Sequence, residues 1–121
     1  MTVLDASAIL AFLQGEPGEA IVEEALEAGA SCSAANWSEV AQKVLAAERN
    51  WSTAQALLAS YDLAIEPVTR ADAELAAASW HPDTTLSLAD RLCQALARRL
   101  EVTVLTADRT WGTKPPVHQI R

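Results

Sequence analysis

Long hydrophobic runs are missing from this chain of 121 residues, although half of its residues are hydrophobic. No apolar stretch reaches the roughly 18 to 20 residues that a membrane-spanning helix requires. The start of the chain also lacks the basic residues and the long apolar centre of a secretory signal, because an acidic residue already follows at Asp5. We therefore expect a cytoplasmic protein that makes no membrane contact.

Cysteine and histidine are scarce, with two of each. Cys32 and Cys93 stand far apart and form no C-x-x-C pair, which argues against both a zinc site and a disulfide framework. We expect both cysteines to be small core residues. His81 and His118 are equally isolated, and we expect them on the surface or in loops rather than as ligands.

Basic residues are also few, with nine against sixteen acidic ones and a net charge of −7. This balance argues against a general nucleic-acid coat protein. It does not exclude an enzyme whose acidic residues hold cations, because a bound metal reverses the local field. The length allows one domain with one sizeable core, so we expect residues 1–121 to form a single unit.

Strand-like and helix-like segments alternate along the chain, which favours a mainly parallel sheet covered on both faces. The predicted fold is a single-domain α/β/α sandwich. The predicted strands are 2–5, 30–33, 63–68, 102–108 and a short one at 117–120. The predicted helices cover 7–13, 52–60 and 69–80, with others starting near Pro17, at Asn36 and at Ser87.

The apolar residues of the predicted helices indicate which faces are buried. Ile21, Leu45 and Leu88 belong to the apolar pattern of their helices and are expected to point inward. The four tryptophans, Trp37, Trp51, Trp80 and Trp111, are first explained as core residues. Trp51 has a second interpretation as an anchor on a dimer or partner surface, where tryptophan is enriched.

Four acidic residues lie at element boundaries. Asp5 and Asp108 end predicted strands, and Glu39 and Asp90 lie in the first turns of predicted helices. In a parallel sheet the carboxyl ends of strands and the starts of the following helices meet at one edge, which is where open α/β sheets bind ligands. We therefore expect these four side chains to converge.

Helix capping is an alternative explanation for the two helix acids. The stretches "NWSE" (36–39) and "SLAD" (87–90) both fit a capping box, which needs no catalysis. "TRAD" (69–72) fits the same pattern and acts as an internal control, because nothing else in the sequence assigns Asp72 to a site. Asp5 and Asp108 could likewise serve only as turn residues.

Electrostatic repulsion favours a cation among converging carboxylates. Two unit charges 4 Å apart cost about 4 kcal/mol at an effective dielectric near 20, whereas a helix dipole offsets only about 0.3 to 1 kcal/mol per acid. Hard oxygen ligands without thiolate or imidazole select Mg²⁺ or Mn²⁺. The four acids therefore predict a site for one of these ions.

The stretches "VLDASAIL", "NWSEV", "LSLADRLCQALA" and "VLTADRTW" resemble, in order and spacing, the PIN-domain ribonucleases and specifically the VapC toxins of toxin–antitoxin pairs. The resemblance covers nearly the whole chain. It places Asp5, Glu39, Asp90 and Asp108 on the family's acidic quartet. It also places Ser7 and Thr106 on supporting hydroxyl positions. Ala89 departs from the pattern, because relatives commonly have glycine there.

The resemblance implies a small α/β/α sandwich that usually forms homodimers. It implies a metal-dependent endoribonuclease that cleaves RNA with Mg²⁺ or Mn²⁺ and is silenced by a cognate VapB-type antitoxin. Lys43, Arg91 and Arg109 lie near the quartet in sequence and are candidates for RNA or antitoxin contacts. Ordinary surface solvation or ion pairing is the alternative for each of them.

Two other classes of protein remain open from the residues alone. A phosphoacceptor or phosphatase-like domain also gathers aspartates around Mg²⁺, but the phosphatase pattern needs an aspartate where this chain has Ser7. No lysine ends a late strand, as a phosphoacceptor domain would require. A non-enzymatic α/β interaction module would use the four acids only as caps.

Overall fold

The computed structural model describes all 121 residues and contains one five-stranded sheet in which every pair of neighbouring strands is parallel. The strand order is β3-β2-β1-β4-β5. The predicted α/β fold with a parallel sheet is confirmed. The strands are β1 (Thr2–Leu4), β2 (Ala30–Ser33), β3 (Ala64–Glu66), β4 (Thr103–Thr106) and β5 (Val117–Gln119).

Six α-helices and one short 3-10 helix, Arg109–Trp111, connect the strands. None of the helices is both long and apolar enough to cross a membrane. The α-helices are α1 (Ala6–Gln14), α2 (Glu19–Ala28), α3 (Ala34–Ala46), α4 (Trp51–Ala59), α5 (Arg70–Ala78) and α6 (Leu88–Leu100).

The core lies on both faces of the sheet, because successive side chains of a strand point to opposite faces. Leu4 packs in a cluster with α1, α3 and β2, whereas its neighbour Val3 packs in a second cluster with Cys93 and Leu96 of α6. Both Val3 and Leu4 are fully buried. This alternation makes β1 the centre of the predicted sandwich.

Cys32 and Cys93 are both fully buried free thiols, as predicted, and His81 and His118 are both exposed. Burial raises the pKa of the Cys32 thiol to about 12, so this thiol is neutral at ordinary pH. The expectations that the cysteines are small core residues and that the histidines lie on the surface are confirmed.

Several predicted core positions are exposed instead. Ile21, Leu45 and Leu88 are 41%, 59% and 58% exposed. Ile21 and Leu45 directly adjoin the buried Val22 and Val44, and a rotation of 100° per residue carries them out of a narrow apolar stripe. Leu88, in the first turn of α6, precedes the segment that packs on the sheet, where the first fully buried residue is Cys93.

Only one of the four tryptophans is buried. Trp111 is 7% exposed, whereas Trp80, two residues beyond α5, is 57% exposed, so its core assignment is wrong. Trp37 and Trp51 are half-buried and pack edge to face with ring centroids 4.9 Å apart. The interpretation of Trp51 as an interface residue stays a prediction.

Candidate active site

Asp5 lies directly after β1 and is only 3% exposed. Its extended backbone makes it the N-cap of α1, and its Oδ1 accepts a 2.8 Å hydrogen bond from the Ala8 amide. Ser7 Oγ lies 2.8 and 2.9 Å from the two carboxylate oxygens. The side chain is thus held rigidly, but no basic residue pairs with it.

Thr106 joins this cluster from the end of the neighbouring strand β4. Its hydroxyl donates a 2.5 Å hydrogen bond to Asp5 Oδ2 and lies 3.2 Å from Ser7 Oγ. The Ala107 amide donates to Ser7 Oγ at 2.9 Å, and the Asp108 amide donates to Thr106 Oγ1 at 3.0 Å. Two hydroxyls therefore connect the carboxyl ends of β1 and β4.

The pKa of Asp5 is raised from its ordinary value of 3.8 to about 6, mainly because burial disfavours the charged form. The hydrogen bonds from Thr106, Ala8 and Ser7 oppose this rise. The negative charge of Asp90 adds to it, which shows that Asp90 lies near Asp5. Asp5 is therefore a carboxylate kept in a poorly solvated place without a counterion.

Asp90 lies in the first turn of α6 and is half-buried. Its Oδ2 accepts a 2.9 Å hydrogen bond from the Ser87 amide, and Ser87 Oγ accepts a 3.1 Å bond from the Asp90 amide. This is the capping box that the sequence indicated, so the capping role is confirmed. One carboxylate oxygen, Oδ1, makes no hydrogen bond within the protein and is available to a ligand.

Glu39 is placed differently from the prediction. α3 starts at Ala34 with Ser33 as its N-cap, so the predicted capping box at 36–39 is wrong. Asn36 lies inside the helix, fully buried, and its Nδ2 donates a 2.8 Å hydrogen bond to Glu39 Oε1. The error arose because "NWSE" has the residue types of a capping box, while the true cap lies three residues earlier.

Asn36 is the site residue that the sequence reasoning missed. Its Oδ1 is buried without a hydrogen-bond partner, and such an atom is costly to bury. The spacing of Asn36 and Glu39 was visible in the sequence, because residues three apart on a helix are neighbours. The pairing of Asn36 with Glu39 was not predicted because the helix was expected to start at Asn36 rather than at Ala34.

Asp108 caps the 3-10 helix that follows β4. Its Oδ1 accepts hydrogen bonds from the Thr110 amide at 2.9 Å and from Thr110 Oγ1 at 2.7 Å. The side chain is half-buried and engaged with its own loop. Its backbone amide, through Thr106 Oγ1, ties this loop to the Asp5 cluster.

The acids share one region of the sheet but are not packed into one cluster. Burial raises the pKa of Cys93 well above its usual value, and the negative charges of Asp5, Asp90 and Glu39 add to that rise, so these three acids lie in the same part of the molecule. No three Asp, Glu, His or Cys side chains are close enough to share a metal ion as they stand. The assignment of the quartet as metal ligands stays a prediction.

The donor set nevertheless fits a hard cation. The four acids offer only oxygen ligands, and the buried Asp5 carboxylate has no positive charge beside it. Mg²⁺ and Mn²⁺ prefer such ligands, and Mg²⁺ usually retains several waters, so it does not require a complete protein cage.

Asp72 is structural. It forms the predicted capping box with Thr69, at 3.2 and 3.1 Å, and also pairs with Arg99, at 3.0 Å (Nε to Oδ1) and 3.2 Å (Nη2 to Oδ2). Burial favours a higher pKa, but the Arg99 guanidinium holds the pKa of Asp72 below its ordinary value. Arg99 therefore joins α6 to α5.

The three basic rim candidates occupy different environments. Lys43 is exposed in the last turn of α3, and its side chain makes no hydrogen bond or ion pair. Arg91 Nη1 donates a 2.6 Å hydrogen bond to the Ala76 carbonyl, which ties its side chain to α5. The Arg109 side chain is exposed and makes no hydrogen bond or ion pair. Their contact with RNA or an antitoxin stays a prediction.

Comparisons with known proteins point to one family. The PIN domain family matches residues 2–113, whereas no curated protein sequence matches significantly. A toxin–antitoxin complex from Klebsiella pneumoniae superimposes with a TM-score of 0.77 at 21% identity, covering 100% of this chain and 98% of that one. Mycobacterium tuberculosis VapC20, a Sarcin-Ricin loop cleaving toxin, gives 0.67 at 16% identity, covering 88% of each chain. At these identities the two structures establish a shared fold.

Proposed function

Because this chain belongs to the PIN domain family, we propose that it is a metal-dependent endoribonuclease of the VapC type, the toxin of a toxin–antitoxin pair. The observation that carries the proposal is the buried, unpaired carboxylate of Asp5, fixed between two strand ends with further acids nearby. A fold that only needed a helix cap at this point would not gain from burying a charge there.

Asp5, Asp90 and Asp108 would hold Mg²⁺ or Mn²⁺, and Glu39 would bind a second ion or orient water. When bound, such an ion would supply acidity to water and positive charge opposite the phosphate. This arrangement needs no histidine base, which suits a chain whose two histidines are both exposed.

The supporting residues orient these acids. Thr106 and Ser7 donate to Asp5 and prevent rotation of its carboxylate. Asn36 holds Glu39 by one oxygen and leaves the other free. Ser87 holds Asp90 in the same way. Residues that restrain ligands typically change metal affinity or activity 10- to 100-fold when they are removed.

The expected partners are RNA as substrate, a VapB-type antitoxin as inhibitor and a second copy of the chain in a homodimer. A structural neighbour described as a toxin–antitoxin complex supports the antitoxin. A neighbour described as cleaving the Sarcin-Ricin loop supports an RNA substrate. We further propose that residues 1–121 act as one ribonuclease domain.

The test is cleavage mapping on total RNA with the wild type, Asp5→Asn and the control Asp62→Asn. Asp62 is exposed, makes no side-chain hydrogen bond and has a left-handed backbone that asparagine tolerates. Cleavage by the wild type and the control, dependent on Mg²⁺ or Mn²⁺ and absent in Asp5→Asn, is expected. Cleavage retained by folded Asp5→Asn would refute the assignment. A protein that neither cleaves RNA nor responds to metal would be an interaction module.

A further inference from the structure

The charge of the chain is divided unevenly between its last thirteen residues and the rest. Residues 109–121 contain Arg109, Lys114 and Arg121 and no acid, so they carry +3. Residues 1–108 contain all sixteen acids and the other six bases, which is a balance of −10. The positive charge of a strongly acidic protein is therefore concentrated in one segment.

The fold brings the two arginines of this segment together. Arg109 follows β4 and Arg121 follows β5, and these neighbouring strands are parallel, so both arginines lie at the carboxyl edge of the sheet. Both line a cavity of about 300 Å³. Its other lining residues are Gly112, Thr113 and Gln119, so no acidic and no apolar side chain faces it.

The frame of this cavity is fixed by hydrogen bonds. Gln119 Nε2 donates to the carbonyls of Asp108 and Gly112, both at 2.9 Å. This bond pair ties the loop that carries Arg109 to β5. Because Asp108 is one of the two residues held, the position of the cavity is coupled to that of a candidate catalytic acid.

Arg121 is anchored as well. Its Nη1 donates a 3.1 Å hydrogen bond to the Pro17 carbonyl. The preceding Ile120 is buried against Gly18, where an added Cβ would come within 2.8 Å of Ile120 Cγ1. Neither Arg121 nor Arg109 has an acidic partner. Two arginines thus line one cavity, and their guanidinium groups make only one hydrogen bond in the protein, from Arg121 to Pro17.

We propose that the cavity between Arg109 and Arg121 binds a backbone phosphate of the RNA strand that flanks the phosphate being cleaved. This rests on the proposed function and adds a substrate-positioning site to it. Guanidinium groups suit phosphate because their donors can bind two oxygens at once. The site also explains how a chain of net charge −7 retains a polyanion beside its acids.

An acidic peptide segment of a protein partner is the competing occupant. RNA is favoured because the cavity adjoins Asp108, where the strand would have to pass to reach the acids. No apolar residue lines the cavity, whereas the buried centre of a protein interface is normally rich in apolar and aromatic side chains.

The experiment measures binding rather than cleavage. A short fluorescent single-stranded RNA is titrated with full-length Asp5→Asn protein at several salt concentrations, and fluorescence anisotropy gives Kd. Arg109→Gln and Arg121→Gln are added singly to this background. The matched control is Arg98→Gln, because Arg98 is an exposed arginine without an ion pair in the last turn of α6, at the end that leads into β4.

Each cavity variant is expected to bind RNA about 5- to 10-fold more weakly, with the slope of log K against log salt shallower by about 0.7. Arg98→Gln is expected to match the parent. If Arg121→Gln unfolds, Arg121→Lys replaces it and should bind more tightly than Arg109→Gln. An oligoglutamate peptide with the same net charge as the RNA tests the competing occupant, an acidic peptide segment.

Equal RNA affinity and salt slope in the parent and both cavity variants would overturn the subsite, even if the wild type cleaves RNA. A loss confined to oligoglutamate binding would overturn it in favour of a protein partner. Arginine-dependent RNA binding without any cleavage by the wild type would support the subsite and refute the nuclease. The two proposals therefore fail separately.

Discussion

Thr106 Oγ1 donates a 2.5 Å hydrogen bond to Asp5 Oδ2, joining two buried residues that are 101 positions apart in the chain. The same oxygen accepts the Asp108 amide at 3.0 Å. One hydroxyl therefore connects two candidate catalytic acids, and it exists only because β1 and β4 are parallel neighbours with Leu4 opposite Leu105.

The link predicts that Thr106→Val damages both stability and cleavage. The variant keeps the shape but leaves the Asp108 amide without a partner and Asp5 Oδ2 with Ser7 Oγ alone, which costs about 1 to 3 kcal/mol of unfolding free energy. RNA cleavage should fall at least tenfold. Thr106→Ser keeps the hydroxyl and should retain most activity. Urea unfolding and cleavage rates are the measurements, and an unaltered cleavage rate in Thr106→Val would contradict the positioning role.

Asp5 should make the metal-free protein less stable as pH rises. Its pKa is 3.8 ordinarily and about 6 in the folded protein, so the folded state holds the proton more tightly. Its stabilising contribution is full below about pH 3.8 and is lost as pH rises through about 6. At about 1.4 kcal/mol per unit, the total change is about 3 kcal/mol.

Asp5→Asn should therefore stabilise the metal-free protein at pH 7 to 8 by about 1 to 3 kcal/mol, while abolishing cleavage. The side-chain amide of asparagine cannot accept all the hydrogen bonds that Ser7 and Thr106 donate to the Asp5 carboxylate. This loss is why the gain in unfolding free energy extends down to the lower value of the range. Urea unfolding in EDTA at pH 4 and pH 7.5 gives the comparison. The proposal for Asp5 would be contradicted if the gain did not grow with pH.

Metal should stabilise the native protein by binding it and not the unfolded chain. At 100 times Kd, Mn²⁺ is expected to add about 2.7 kcal/mol, which raises Tm by several degrees. Asp5→Asn should lose most of this increase, whereas Asp62→Asn should keep it. Thermal unfolding with Mn²⁺, Mg²⁺ and Ca²⁺ measures the effect. A rise of equal size in all three proteins would place the binding outside the proposed site.

Asn36 should act through Glu39. Asn36→Ala removes the 2.8 Å bond to Glu39 Oε1 and is expected to raise the Mn²⁺ concentration needed for half-maximal cleavage about 10-fold. Asn36→Asp places a second charge beside Glu39 and should be worse. The rate at saturating Mn²⁺ should largely recover in Asn36→Ala. A purely structural role would lower the saturated rate and leave the Mn²⁺ dependence unchanged.

The Asp72–Arg99 pair should stabilise the fold without affecting the site. A double-mutant cycle with Asp72→Asn and Arg99→Gln is expected to give a coupling energy of about 1 to 3 kcal/mol, because the Asp72 side chain is 5% exposed. The exposed pair Arg70–Glu74, at 93% and 67%, should give about 0.3 to 0.5 kcal/mol. Chemical denaturation measures both cycles. Cleavage by the folded Asp72 variant should equal that of the wild type.

The sequence by itself determined the fold class and the meeting of Asp5 and Thr106 at one edge of the sheet. The alternation of strand and helix predicted a parallel sheet, and a parallel sheet places Asp5 and Thr106 at one edge. The capping boxes at Ser87 and Thr69 were also predicted, because such boxes depend on residues three apart. A capping box joins residues close together in the chain, so its residue types can be recognised directly in the sequence.

Only the tertiary structure decided which side chains meet. α3 starts at Ala34 rather than Asn36 because β2 ends at Ser33, whose hydroxyl caps the helix. That shift turned Asn36 from a cap into a buried partner of Glu39. The pairing of Asp72 with Arg99 and the joint cavity of Arg109 and Arg121 depend on how helices and strands pack, and contacts between distant residues leave no periodic signal in the sequence.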